Sequence, residues 1–123
     1  MAPPRKPNWL DIPPDANYAA AASYLSLSFP PKRAKSAVKE LKRGSVVQYQ
    51  AKDIFRASSL SLLGVSDKHV ERDLKKIRAG KPLSPLLLVR VPELAKVVVG
   101  DGYHRLCAVY LINEDAVVPC KIA

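Results

Sequence analysis

Residues 85–122 constrain the fold most, because two apolar runs, a glycine-bearing turn and a helical period follow one another there almost without a break. Pro85-Leu-Leu-Leu-Val-Arg-Val91 and Lys96-Val-Val-Val99 flank a turn at Pro92-Glu93-Leu94-Ala95. Their length and composition are those of an antiparallel hairpin. Gly100-Asp101-Gly102 then leads straight into a helix expected over residues 103–112, and a last strand is expected over residues 117–122.

A strand, a Gly-Asp-Gly loop and a helix in that order are suited to an anion. The first turn of a helix leaves backbone N–H groups unpaired and carries about half a positive charge, and glycines let a phosphate approach that backbone closely. Tyr103, His104 and Arg105 stand in that first turn. Arginine offers a planar fork to phosphate oxygens and histidine a further donor. A cation there is badly placed against the helix dipole unless an anion is present, so Arg105 is the firmest site residue. Asp101 admits two readings, the N-cap of the helix or a reactive carboxylate, and His104 is either a ligand group or a structural histidine.

Upstream, the chain is read in three parts: a proline-rich basic arm over residues 1–14, a basic helical extension over 15–44, and a compact domain over 45–123. Pro3, Pro4, Pro7, Pro13 and Pro14 make the arm flexible or extended. Asp15 is expected to cap a helix over residues 16–28 in which Tyr18, Ala21, Ala22 and Leu25 share a face, before Pro30-Pro31 stops it. This helix packs either on the domain or on a partner, such as a second copy. A second helix, residues 32–43, sets Lys32, Arg33, Lys35, Lys39, Lys42 and Arg43 around a stripe of Ala34, Ala37, Val38 and Leu41, with Gly44 at its end. Its cations are either a nucleic-acid contact or a solvated face.

The compact domain opens with a strand over residues 46–50, then Ala51 to Arg56 and a serine-rich connection over 57–65. Ser66 is expected to cap a helix over 67–79 with Val70, Leu74 and Ile77 buried and Gly80 as its stop. His69, Arg72 and Lys76 fall on one flank of that stripe, either as a ligand face or as an ordinary exposed one.

Composition agrees with one small α/β (α+β) domain, a mixed sheet with packed helices. The chain has 123 residues, 48% hydrophobic and 25% charged, with a formal charge of +9 that favours phosphates, nucleic acid or an acidic partner. Cys107 and Cys120 lie in apolar surroundings without CxxC spacing, which argues for core residues and against a metal site or disulfide framework. No apolar run approaches the roughly 20 residues of a membrane span and no signal core follows the N-terminus, so a cytoplasmic protein without membrane contact is expected.

The run SPLLLVRVPELAKVVVGDGYHRLCAVYLINEDAVVPCKIA, with HVERDLKKIRAGKPLSP before it, resembles the core of the ParB/sulfiredoxin superfamily. Members share a strand pair, a glycine loop followed by His-Arg or Arg-Arg, a helix, and a short final strand with Val-Pro. Sulfiredoxins carry Gly-Gly-Cys-His-Arg, free serine kinases Asp-Gly-His-His-Arg and ParB proteins Gly-Glu-Arg-Arg. Asp101-Gly102-Tyr103-His104-Arg105 is closest to the kinase-like pattern. Tyr103 replaces the sulfiredoxin cysteine, which removes that reaction's nucleophile, and it replaces the glutamate of the ParB box.

The resemblance implies a nucleoside triphosphate, ATP or CTP with Mg²⁺, that is hydrolysed or gives up its phosphoryl group, and a ParB-like connection to DNA. It implies Asp101 and His104 at the reacting phosphoryl, with Gly100, Gly102, Tyr103, His104 and Arg105 around the phosphates. His69, Arg72 and Lys76 fall where the family's phosphate-facing helix carries polar residues, and Ile54-Phe55-Arg56 resembles, with one inserted residue, an Ile-Arg near the end of the first long strand, which brings in Arg56. Asp53 and Glu71 are the candidates for a second carboxylate. A non-catalytic nucleotide sensor or DNA-binding module is the main rival, and a metal-dependent nuclease the third reading, though Asp101 stands alone in the loop.

Overall fold

The computed structural model describes residues 6–123; of the proline-rich arm, Pro3 and Pro4 lie outside the described residues. The frame is a four-stranded mixed sheet of β2 (Val47–Gln50), β4 (Leu86–Val91), β5 (Lys96–Asp101) and β6 (Val117–Ile122), in the order β2-β6-β4-β5. The pairs β2/β6 and β4/β5 are antiparallel, and β4/β6 is parallel, with Leu86 opposite Cys120. The expected hairpin is present, closed by a 3₁₀ turn at Pro92–Leu94.

The central strand explains the layering. Leu86, Leu87, Leu88 and Val89 are all buried, and alternate members face opposite sides of the sheet. Leu86 and Leu88 join a core with Val70, Leu74, Ile77, Leu106 and Val118, under α3 (Ala51–Ser58), α4 (Lys68–Arg78) and α5 (Tyr103–Ile112). Leu87 and Val89 join a second core with Tyr18, Ala21, Leu25, Ala34, Ala37 and Leu41, from α1 (Asp15–Ser28) and α2 (Pro31–Arg43). A strand without apolar/polar alternation needs cover on both faces, and residues 15–43 supply half of it. They form a layer of the same domain, so residue 45 is no boundary in the packing.

The N-terminal segment is also tied down where it is described. β1 (Asn8–Trp9) pairs in parallel with β3 (Pro82–Leu83), Leu10 N–H donates to Leu83 O at 2.8 Å, and Asn8 Nδ2 donates to Gly80 O at 2.9 Å. Residues 8–10 are therefore extended and anchored beside the end of α4.

Several expected boundaries shift for identifiable reasons. Asp15 is the first helical residue of α1 and caps nothing, because Pro14 occupies the cap position. Gly44 ends α2 with φ −71°, so its left-handed freedom is unused. The cap of α4 is Asp67, whose carboxylate accepts from His69 N and Val70 N at 2.9 and 3.1 Å; Ser66 is exposed in the preceding turn. Those two N–H groups, Val70's foremost, bond the charged carboxylate and lower its pKa.

Residues 51–58 form a helix, although the sequence assigns no element to Ala51–Arg56 and the family resemblance implies a strand end at Ile54-Phe55-Arg56. Ala51 and Ile54 bury one face against the sheet, and the first-turn N–H groups of Ala51 and Lys52 donate to Ala116 O and Glu114 O. Opposite, the Lys121 amine is buried beneath α1 and α2, donating to Lys42 O at 3.3 Å and lying 5.5 Å from the Tyr18 ring centre. The last carbonyls of α2 suit a cation there.

Candidate functional site

β5 continues through Gly100 and Asp101, so only Gly102 is a true turn residue between strand and helix. Its φ is +110°, and a Cβ there would sit 2.7 Å from Leu86 Cγ and 2.9 Å from Arg105 Nη2. Both conformation and space therefore demand glycine. Gly100 has a different job from the expected one. It is buried, and a Cβ would lie 3.5 Å from Ala21 Cβ and 3.4 Å from Leu87 O, so its smallness lets α1 close on the sheet. It does not line the cleft described next.

The N-terminus of α5 opens into a cleft of about 260 Å³ lined by Arg72, Asp73 and Lys76 of α4, by Pro82, Leu83 and Ser84, and by Asp101, Gly102, Tyr103, His104 and Arg105. Two groups of residues singled out separately in the sequence thus meet at one place. Three cations and the free N–H groups of a helix start share it with two acids, Asp73 and Asp101.

Arg105 is held from one side. Its Nη2 donates to Asp101 Oδ2 at 2.8 Å, with side chains 18% and 17% exposed, and lies 3.4 Å from Pro85 O. Its Nε is buried and has no partner among the described residues. Asp101 is accordingly not the N-cap; Gly102 occupies that position and no side chain caps the helix. The anion that a cation in the first turn calls for is supplied in part by the chain itself. Asp101 orients the guanidinium through Nη2.

His104 lies against His69, ring centres 4.7 Å apart, and Arg72 Nη2 is 3.3 Å from His69 Nδ1. His69 therefore borders the cleft as a neighbour of lining residues. Tyr103 lines the cleft while its hydroxyl donates to Ser61 O, pinning the connection between α3 and α4. Burial pushes its phenol pKa up.

Arg56 does not belong to the site. It sits on α3 with its side chain 85% exposed, 3.9 Å from Asp53 Oδ1, because the stretch expected as a strand end is helical. The suggested second carboxylates fail with it: Asp53 faces Arg56, and Glu71 lies 3.3 Å from Lys75 Nζ on the outer side of α4. The acid that does enter the cleft is Asp73, which sequence reading missed. It interrupts the apolar stripe Val70, Leu74, Ile77, and a carboxylate on a buried stripe was the available signal.

Both thiols are core groups. Cys107 and Cys120 are fully buried, and burial raises both, Cys120 to about 11. Thiol chemistry is disfavoured at either position.

On the other face, α2 buries Ala34, Ala37 and Leu41 and turns its cations outward as expected. Arg33 is committed, 3.0 Å from Glu93 Oε1 and stacked 4.7 Å from the Phe29 ring centre. Lys32, Lys35, Lys39, Lys42 and Arg43 are exposed and form no ion pairs among the described residues. Lys35, Lys39 and Lys42 line a shallow groove between α1 and α2.

No family model, curated protein or solved structure matches the chain. Among the described residues, no helix is long and apolar enough to cross a membrane.

Proposed function

We propose that the cleft at the start of α5 binds the phosphate chain of a nucleoside triphosphate, ATP or CTP, in a domain of the ParB/sulfiredoxin kind, and that the bound nucleotide is hydrolysed or donates its phosphoryl group. The observation that carries this reading is the convergence of Arg72, Lys76, His104 and Arg105 on the open N-terminus of a helix. At about 260 Å³ the cleft lies below the roughly 300–1,000 Å³ of pockets that enclose a whole small ligand. It suits phosphates, with the base lying outside.

Phosphoryl transfer relies on positioning and charge neutralisation, which these groups provide. Arg72 and Lys76 neutralise, Arg105 offers its fork while Asp101 holds it, and His104, which forms no side-chain hydrogen bond among the described residues, is the uncommitted donor beside the reacting phosphoryl. Mg²⁺ would supply further neutralisation, and the acids in the cleft are of the hard oxygen type it takes.

Calorimetric titration with each nucleoside triphosphate and Mg²⁺ tests the reading. Arg72→Ala with Lys76→Ala should weaken binding by about ten- to a hundredfold at unchanged stability, since both side chains are exposed and serve no core contact. A parent protein that binds no triphosphate ends the proposal. Phosphate release from γ-labelled ATP separates turnover from sensing.

A DNA contact is supported by one further observation, the five exposed cations of α2 that form no ion pair among the described residues, of which Lys42 also lies 5.9 Å from the Tyr18 ring centre. Lys35→Glu with Lys39→Glu should lower DNA affinity and reduce the slope of log affinity against log salt by about 2, one unit for each phosphate no longer neutralised. An unchanged slope assigns the helix to solvation.

A further inference from the structure

Resting on the phosphate reading above, we infer that Asp73 is the cation ligand of the cleft: it takes a divalent metal ion, Mg²⁺ or a similarly hard ion, that arrives on the triphosphate and bridges it to α4. The side chain is otherwise unexplained. Asp73 is 5% exposed on the inward stripe of α4, among Val70, Leu74 and Ile77, and it lines the cleft. Aspartate is almost never buried to that degree unless paired. Yet Asp73 forms no ion pair and no side-chain hydrogen bond among the described residues.

Partners were within reach. Lys76 stands three residues on, at a spacing that permits a helical ion pair, and Arg105 lines the same cleft but bonds Asp101. No ion pair or side-chain hydrogen bond of the described residues holds the carboxylate, and asparagine would fill the same space without its charge.

Phosphate binding sharpens the problem. A triphosphate drawn in by Arg72, Lys76 and Arg105 brings negative charge beside Asp73, and like charges at close range repel strongly where water is scarce. A divalent cation between carboxylate and phosphate oxygens turns the repulsion into attraction. Mg²⁺ is typically held in this way, by one or two carboxylates together with substrate phosphates and waters. The Ser84 hydroxyl and the Asp101 oxygen not used by Arg105 add hard donors in the same cleft.

The experiment compares the full chain with its Asp73→Asn variant, using inorganic tripolyphosphate, ATP and CTP as probes, each titrated in EDTA and in excess Mg²⁺. The parent should bind about tenfold or more tighter with Mg²⁺. Asn keeps the shape and removes the ligand charge, so the variant should lose that dependence, bind in EDTA at least as well as the parent, and melt no lower. Equal parent affinity in EDTA and Mg²⁺ overturns the inference, whether or not the variant folds, and leaves the phosphate reading standing. A folded variant with undiminished Mg²⁺ dependence overturns it too. A parent that binds no probe in either condition removes the phosphate reading itself, and this inference with it.

Discussion

Deleting residues 1–44 is expected to abolish cooperative folding rather than to strip a separable basic arm. The deletion removes α1 and α2 and uncovers the face of the sheet that carries Leu87 and Val89. Leu25, Leu41, Leu87 and Val89 are all buried. At about 1.5–3 kcal/mol for each buried aliphatic side chain, these four contribute about 6–12 kcal/mol, comparable with the whole stability of a small domain, about 5–15 kcal/mol. Lys121 would also lose Tyr18 and the Lys42 carbonyl that accompany its buried amine. Urea unfolding followed by circular dichroism should show no sigmoidal transition for the fragment 45–123. A soluble fragment that unfolds cooperatively would mean the second core is dispensable. For the same reason, a DNA contact through α2 has to be tested by charge substitution, because loss of binding after truncation would report only unfolding.

The parts of the fold that were legible are those whose local signals are redundant. The helix Tyr103–Ile112 and the strand Val117–Ile122 lie between strong punctuation, and their expected bounds agree with the structure. The apolar stripe of α2 emerges as read because alanine and leucine at helical spacing stand against six basic residues. α3 was missed because a helix of eight residues shows barely two turns of periodicity, and its orphan N–H groups are satisfied by carbonyls of the distant 114–116 loop. The packing role of residues 15–43 was hidden for a different reason. The run Leu86-Leu87-Leu88-Val89 announces a strand buried on both faces, but reading it as one arm of a hairpin left its second face unassigned.

At the site, residue type was informative and orientation was not. Gly100 and Gly102 look equivalent in the sequence, yet the first admits α1 and only the second serves the turn. Arg105 was legible as a cation needing an anion; that Asp101 would supply one depended on both side chains turning to the same side of Gly102. Asp73 was passed over because its neighbours Arg72 and Lys76 drew attention to the flank, while the acid lay on the stripe itself.

Arg105→Ala is expected to act on both ligand binding and stability. Sequence alone suggested that folding would hardly suffer, since a cation would leave the positive end of a helix dipole. The 2.8 Å bond to Asp101 reverses that expectation. Alanine strands a carboxylate whose side chain is 17% exposed, at about 1–3 kcal/mol for a polar group left without its partner. Nucleotide affinity should fall by about ten- to a hundredfold, the equivalent of the 1.5–3 kcal/mol of a charge-assisted hydrogen bond. Adding Asp101→Asn separates the two effects, because it removes the stranded charge and should restore much of the stability without restoring the affinity. Arg105→Lys keeps the charge but loses the planar fork that bonds Asp101 and, in the proposed function, a phosphate as well, and should fall between parent and alanine variant. His104→Ala, which removes no side-chain hydrogen bond among the described residues, should weaken binding less and leave the melting temperature nearly unchanged. Denaturant titrations and calorimetry on the same preparations read both quantities. If Arg105→Ala with His104→Ala binds every triphosphate as tightly as the parent, the cleft is not a phosphate site, and the Asp101–Arg105 pair is only a clasp between the end of β5 and the first turn of α5.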